Sequence, residues 1–194
     1  MIIKRSLWIP IVLLVAGCGS SPAVDYYRLQ PISGGATADP ADAKVLGLGP
    51  LTVPGYLDRP QLVTQQAGSK VKVDEFNRWA EPLDIALPRI VTANVDQLLD
   101  SVVVVTFPYS SRVKTDYRLL GRVIRFDVNQ SAEAVLEVQW SVQDADANTL
   151  LTPRRNRYTA QAGSATDPGA IVSALNETVD AFSRDIANKI KSLL

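Results

Sequence analysis

Histidine is missing from all 194 residues, and cysteine occurs once. Without histidine there is no histidine-based triad and no imidazole metal ligand. A single thiol forms no disulfide within the chain, so packing must hold the fold together. Neither a G-x-S-x-G elbow nor a G-x-x-x-x-G-K-[ST] phosphate loop occurs. Charge excess is also absent, with 20 basic against 20 acidic side chains, which gives no argument for a nucleic-acid partner. The longest apolar run near the start, Leu7 to Ala16, has half of the roughly 20 residues that a membrane span needs.

What is present begins with that run. Lys4 and Arg5 precede it, and Ala16-Gly17-Cys18 ends it. A positive flank, a short apolar core and small terminal residues describe a secretory signal. Leu14-Val15-Ala16-Gly17-Cys18 resembles the bacterial lipobox, in which the cysteine sulfur receives a diacylglycerol and the signal is cut just before it. Residues 1–17 are therefore expected to be a cleaved signal peptide and 18–23 a lipidated tether. Residues 24–194 would form one domain. A buried cysteine in an N-terminal helix is the plainer alternative, but Pro10, Gly17 and Gly19 would spoil such a helix. Lipidation implies a diacylglycerol and an N-acyl chain on Cys18, and no other cofactor or metal. Gly19 stands where an aspartate would retain such a lipoprotein in the inner membrane. The resemblance thus implies the outer membrane of a Gram-negative cell, facing the periplasm.

The remaining 177 residues carry 18 basic and 20 acidic side chains and suffice for one real core. Val24–Gln30 reads as a strand and 31–43 as a Gly/Pro/Ala/Asp loop. Lys44–Val53 reads as a strand interrupted at Gly49-Pro50, which predicts an edge or a bulge. Gln61–Gln65 and Lys70–Val73 flank a hairpin turn. Leu87, Ile90, Val91, Val95, Leu98 and Leu99 have helical period over 85–100. Pro82 would be its first residue, with Glu81 and Asp84 complementing its N-terminus. Pro88 means a kinked first turn or a helix that becomes regular only near it. Val102–Phe107 suits a strand buried on both faces.

Segments 116–129 and 132–143 read as paired strands, the second alternating cleanly except at Val135. Another strand follows at 152–162. Asp167-Pro168 opens a last helix with an apolar stripe through Ile171, Leu175, Val179, Phe182, Ile186, Ile190 and Leu193. The fold class is α+β: a mostly antiparallel, mixed sheet with two main helices packed on one face.

Chemistry is sparse. Asp144 and Asp146 read as turn residues before Asn148. Arg154, Arg155 and Arg157 form the basic cluster, read as a solvated strand face or a site for an anionic headgroup or acidic partner. The dense stretch is 54–84, where Tyr56, Leu57, Arg59 and Trp79 sit among prolines. Aromatics and arginines on rigid loops are what interface hot spots use; equally, Tyr56, Leu57 and Trp79 could cap the core, with Arg78 paired to Glu81 or Asp74. "YLDRPQLVT" followed by "EFNRWAEPLD", together with "YYRL" and the Cys18 motif, resembles the ABC-type transport auxiliary lipoproteins, the PqiC/YmbA family. That resemblance implies a non-catalytic component of an MCE-type intermembrane lipid transport system that supports membrane integrity. It would dock a periplasmic MCE-domain tunnel protein, served by an inner-membrane transporter component, to the outer membrane. A homo-oligomeric ring is one arrangement. Tyr56, Leu57, Arg59 and Trp79 are then candidate partner contacts. The alternatives are a lipid-anchored hydrolase using carboxylates and a passive envelope-structure lipoprotein.

Overall fold

The computed structural model describes residues 22–34 and 43–194. Cys18, the signal peptide and most of the tether lie outside the described residues, as does much of the 31–43 loop.

Eight strands form one mixed sheet: β1 (Asp25–Tyr27), β2 (Lys44–Thr52), β3 (Gln61–Gln65), β4 (Val71–Trp79), β5 (Val102–Thr106), β6 (Tyr117–Val128), β7 (Glu133–Asp144) and β8 (Thr149–Gln161). Two helices, α1 (Leu83–Leu98) and α2 (Pro168–Lys191), complete the α+β architecture. The path β1-β4-β3-β6-β2-β5 crosses the sheet, and β7 and β8 extend it from β6. The long β6–β7 and β7–β8 ladders and the β3–β4 hairpin are antiparallel; β2 is parallel to both β5 and β6.

The alternation expected of β7 holds. Ala134, Leu136, Val138, Trp140 and Val142 are all buried. Leu119, Val123, Phe126 and Val128 of β6 join them on the helix-facing side, in register with Val142, Val138, Leu136 and Ala134. On this surface lies the stripe of α2, with Ile171, Leu175, Val179, Phe182, Ile186 and Ile190 buried. Phe182 meets the Trp140 ring edge-on at 5.9 Å and Tyr158 at 5.5 Å. The Asp167 side chain caps α2 by accepting from the Gly169 amide at 2.9 Å, and Pro168 occupies the first turn, where no amide is needed.

Four local expectations change. Pro82 has an extended ψ of 139° and caps α1 from outside, so the helix starts at Leu83. It runs on through Pro88, which is buried with Ala86, Leu87 and Ile90; burial of this apolar turn offsets the one backbone bond that proline removes. Glu81 turns away from the helix N-terminus to pair with Arg89, leaving Asp84 as the acidic residue of the first turn. β5 is an edge strand, paired only with β2; Val102 and Val104 are buried, while Val103 and Val105 are half-covered.

Of the two roles expected for Pro50, the bulge is the one found. β2 is an interior strand, and its register with β6 slips between Leu48 and Leu51. Gly49 has φ +112° there, a conformation other residues rarely adopt.

Phe182→Ala should cost about 3–5 kcal/mol, as a buried aromatic truncation does. Thermal or urea unfolding of the variant measures it, and an unchanged midpoint would show that the stripe is not the core.

Candidate functional site

The 54–84 stretch folds as a 3-10 turn (Gly55–Leu57), the β3–β4 hairpin and the start of α1. It brings the four sequence-predicted residues together, but not onto one surface. Leu57 is 2% exposed and Trp79 5%. Trp79 stacks on Phe126 of β6 at 6.2 Å. Leu57 and Trp79 are thus core residues, because the turn folds inward against the sheet. This corrects their placement among direct partner contacts. Arg59 is exposed, flanked by exposed Asp58 and Pro60. Arg78 bonds neither Glu81 nor Asp74; its Nε donates to the Glu75 carbonyl at 3.1 Å.

Tyr56 takes an intermediate position. It is half-buried, and its hydroxyl donates to Asp127 Oδ2 at 3.2 Å. Asp127 is 3% exposed although it sits on the sheet face away from the helices. Arg125 holds its other oxygen, with Nε donating to Oδ1 at 2.8 Å. Val135, directly opposite Asp127 in the β6–β7 register, is fully buried. Its break in the β7 alternation was the sequence signal that this part of the outer face is covered; Asp127 and Arg125 gave none, since charged residues on an outward strand face are ordinary. Burial, then the Asp127 charge, pushes the Tyr56 phenol up to about 12.

Beside this cluster a groove of about 430 Å³ runs between the β3–β4 hairpin and β6, touching Tyr56, Val71, Arg125 and Glu137. Glu137 bonds Arg155, which holds its carboxyl below the usual range. Arg157 bonds Glu133 at 3.0 Å, and Arg154 reaches Asp185 at 3.2 Å while lying 4.9 Å over the Trp140 ring. All three arginines of the basic cluster are therefore paired with carboxylates. Asp144 behaves as the expected turn residue: its Oδ1 accepts from the amides of Asp146 and Asn148. Among the described residues no group of three potential metal ligands converges.

Replacing Tyr56 with phenylalanine tests the cluster. Loss of a hydrogen bond to a charged group should cost about 1.5–3 kcal/mol at neutral pH. A phenol raised from 10 to about 12 on folding contributes stability below pH 10 that is lost as pH rises through 12. Wild type should therefore lose more stability than Tyr56→Phe across that window. Parallel alkaline denaturation curves would place the hydroxyl in solvent.

The comparisons agree with this geometry. A crystal structure of an uncharacterised protein superposes with a TM-score of 0.73 at 21% identity, covering 87% of this chain and 99% of that one. One of a Xanthomonas campestris protein gives 0.66 at 16% identity, covering 88% and 100%. Both show the same fold. In sequence, the chain is 28% identical over 139 residues to the intermembrane transport lipoprotein PqiC of Escherichia coli K12, spanning 71% of this chain and 73% of the relative. The family model described as the ABC-type transport auxiliary lipoprotein component matches residues 27–187, from β1 to the last turns of α2, and the chain belongs to that family.

Proposed function

We propose that this protein is the outer-membrane lipoprotein of an MCE-type intermembrane lipid transport system. It docks a periplasmic MCE-domain tunnel protein, served by an inner-membrane transporter component, to the outer membrane, and so supports membrane integrity. The observation that carries this reading is the family match over 27–187, reinforced by a relative named as an intermembrane transport lipoprotein. The acyl chains on Cys18 supply the anchor. One chain binds a membrane only marginally, whereas two or three make attachment effectively permanent. Gly19 directs the protein to the outer membrane, facing the periplasm. Several copies arranged in a ring would present several docking loops at once.

A carboxylate hydrolase would need an acid poised in a cleft. Asp127 and Glu137, the carboxylates lining the groove, are both tied to arginines. Asp180 is raised, chiefly by burial, but it accepts from Asn94 between the two helices. The local chemistry supports a docking protein instead. The Asp58–Pro60 turn projects Arg59 from a base made rigid by buried Leu57 and Trp79.

Two experiments test this. Cys18→Ala should abolish incorporation of labelled fatty acid and release the protein from the outer membrane; undiminished label would sink the anchor. Arg59→Ala should leave the melting temperature unchanged, as surface substitutions stay within about 0.5 kcal/mol. It should weaken co-purification of the MCE-domain protein, roughly thirtyfold in affinity if Arg59 contributes about 2 kcal/mol. Capture at wild-type strength would remove the loop from the interface.

A further inference from the structure

Six residues, 19–24, lie between Cys18 and Asp25, where β1 begins, so seven Cα-to-Cα steps join them. Fully extended, that length reaches at most about 25 Å. The N-terminal end of α2 lies beside β1, where Gly169 and Val172 share a groove of about 470 Å³ with Tyr26 and Arg28. Its C-terminal end is marked by Tyr117, whose hydroxyl donates to the Leu193 carbonyl and whose strand partner Asp144 opens the β7–β8 turn. The 24 residues of α2 separate these two ends by about 36 Å. A lipid on Cys18 therefore holds the β1 end close to the membrane and leaves the β7–β8 turn further out.

The surface at the β1 end has the chemistry for that position. Tyr26 is 63% exposed. Arg28 is exposed and makes no ion pair among the described residues. β4 places Arg78 opposite Tyr26, and Phe76, two residues earlier, is 46% exposed. Asp25 and Glu75 are also exposed here, and Glu75 lies 4.0 Å from Arg78, so the patch is close to neutral. An amphipathic aromatic suits the headgroup level, where its ring meets acyl chains and its hydroxyl meets water. A guanidinium pairs with the phosphate that every phospholipid carries.

We infer that Tyr26, Phe76 and Arg28 rest in the phospholipid headgroup layer of the membrane that holds the anchor, setting the domain upright on its tether. This rests on lipidation of Cys18. The only native cysteine is then blocked, and an introduced cysteine takes a label alone.

The test uses full-length lipidated protein in vesicles of phosphatidylethanolamine and phosphatidylglycerol. An environment-sensitive fluorophore is placed at Asp25→Cys or, as control, at Ala145→Cys in the β7–β8 turn. Lipids carrying a headgroup quencher should quench the label at 25 several-fold more than the label at 145. Adding Tyr26→Ser and Phe76→Ser should bring quenching at 25 down to the control level while the protein still floats with the vesicles. Equal quenching at both positions in floating protein overturns the contact and leaves the anchor intact. So does a label at 25 that is shielded by a second copy, seen as crosslinking between copies, without lipid quenching. Protein that fails to float and takes label at Cys18 overturns the lipidation and this inference together.

Discussion

The burial of one face of α2 on β6, β7 and β8 is the contact on which the rest of the structure depends. No disulfide is available to replace it, since the chain has a single cysteine. Each fully buried side chain of the stripe contributes about 1.5–3 kcal/mol relative to exposure, against a net domain stability of about 5–15 kcal/mol. Phe182 is the centre of the contact, wedged between Trp140 and Tyr158. Beside it a polar pair is carried into the contact. The Tyr158 hydroxyl donates to Asp185 at 2.6 Å, and burial keeps that phenol protonated well above its ordinary range.

The second helix is set against the first by a smaller polar node. Asn94 is fully buried. Its Oδ1 accepts from the Ile32 amide at 2.9 Å, and its Nδ2 donates to Asp180 at 2.9 Å and Ser183 at 3.2 Å. One side chain thereby joins α1, α2 and the segment that follows β1. Asn176 adds a second stitch by accepting from the Gln30 amide at 2.9 Å. Leu29, 1% exposed, immediately precedes this pair of bonds along the chain. Any pull on the N-terminal tether is thus carried directly into the helix pair rather than into the sheet edge alone.

Much of this was readable from pattern. The period-3.6 stripe of α2, the Asp167-Pro168 start and the period-2 alternation of β7 each report one buried face, and a single buried face is what such patterns encode. The parallel placement of β2 between β5 and β6 was not readable, because pairing partners far apart in sequence leave no local trace. The same blindness made Val102–Thr106 look doubly buried: four consecutive valines state a preference for extended backbone, not which neighbours will cover them. The 54–84 stretch shows the limit most clearly. Leu57, Arg59 and Trp79 have similar local surroundings of turns and prolines, and only the inward fold of the 3-10 turn separates two core anchors from an exposed arginine.

The outer face of the sheet bears on where the docking we propose would fall. Many of its charged side chains are tied to neighbours: Arg122 to Gln139, Arg155 to Glu137 and Arg157 to Glu133 across adjacent strands, and Arg125 to Asp127 along β6. Exposed pairs of this kind add little stability, typically below about 1 kcal/mol each. Their consequence is electrostatic. Where cation and anion are paired in this way the local field is weak, so those pairs offer a charged partner little. Unpaired cations lie elsewhere: among the 54–84 residues Arg59, on its turn, and Lys70 and Lys72, on the β3–β4 hairpin, are exposed and form no ion pair in the described structure. Ion pairing on the sheet, and free cations on the Arg59 turn and the β3–β4 hairpin, are thus complementary features that favour the 54–84 segment for the docking we propose.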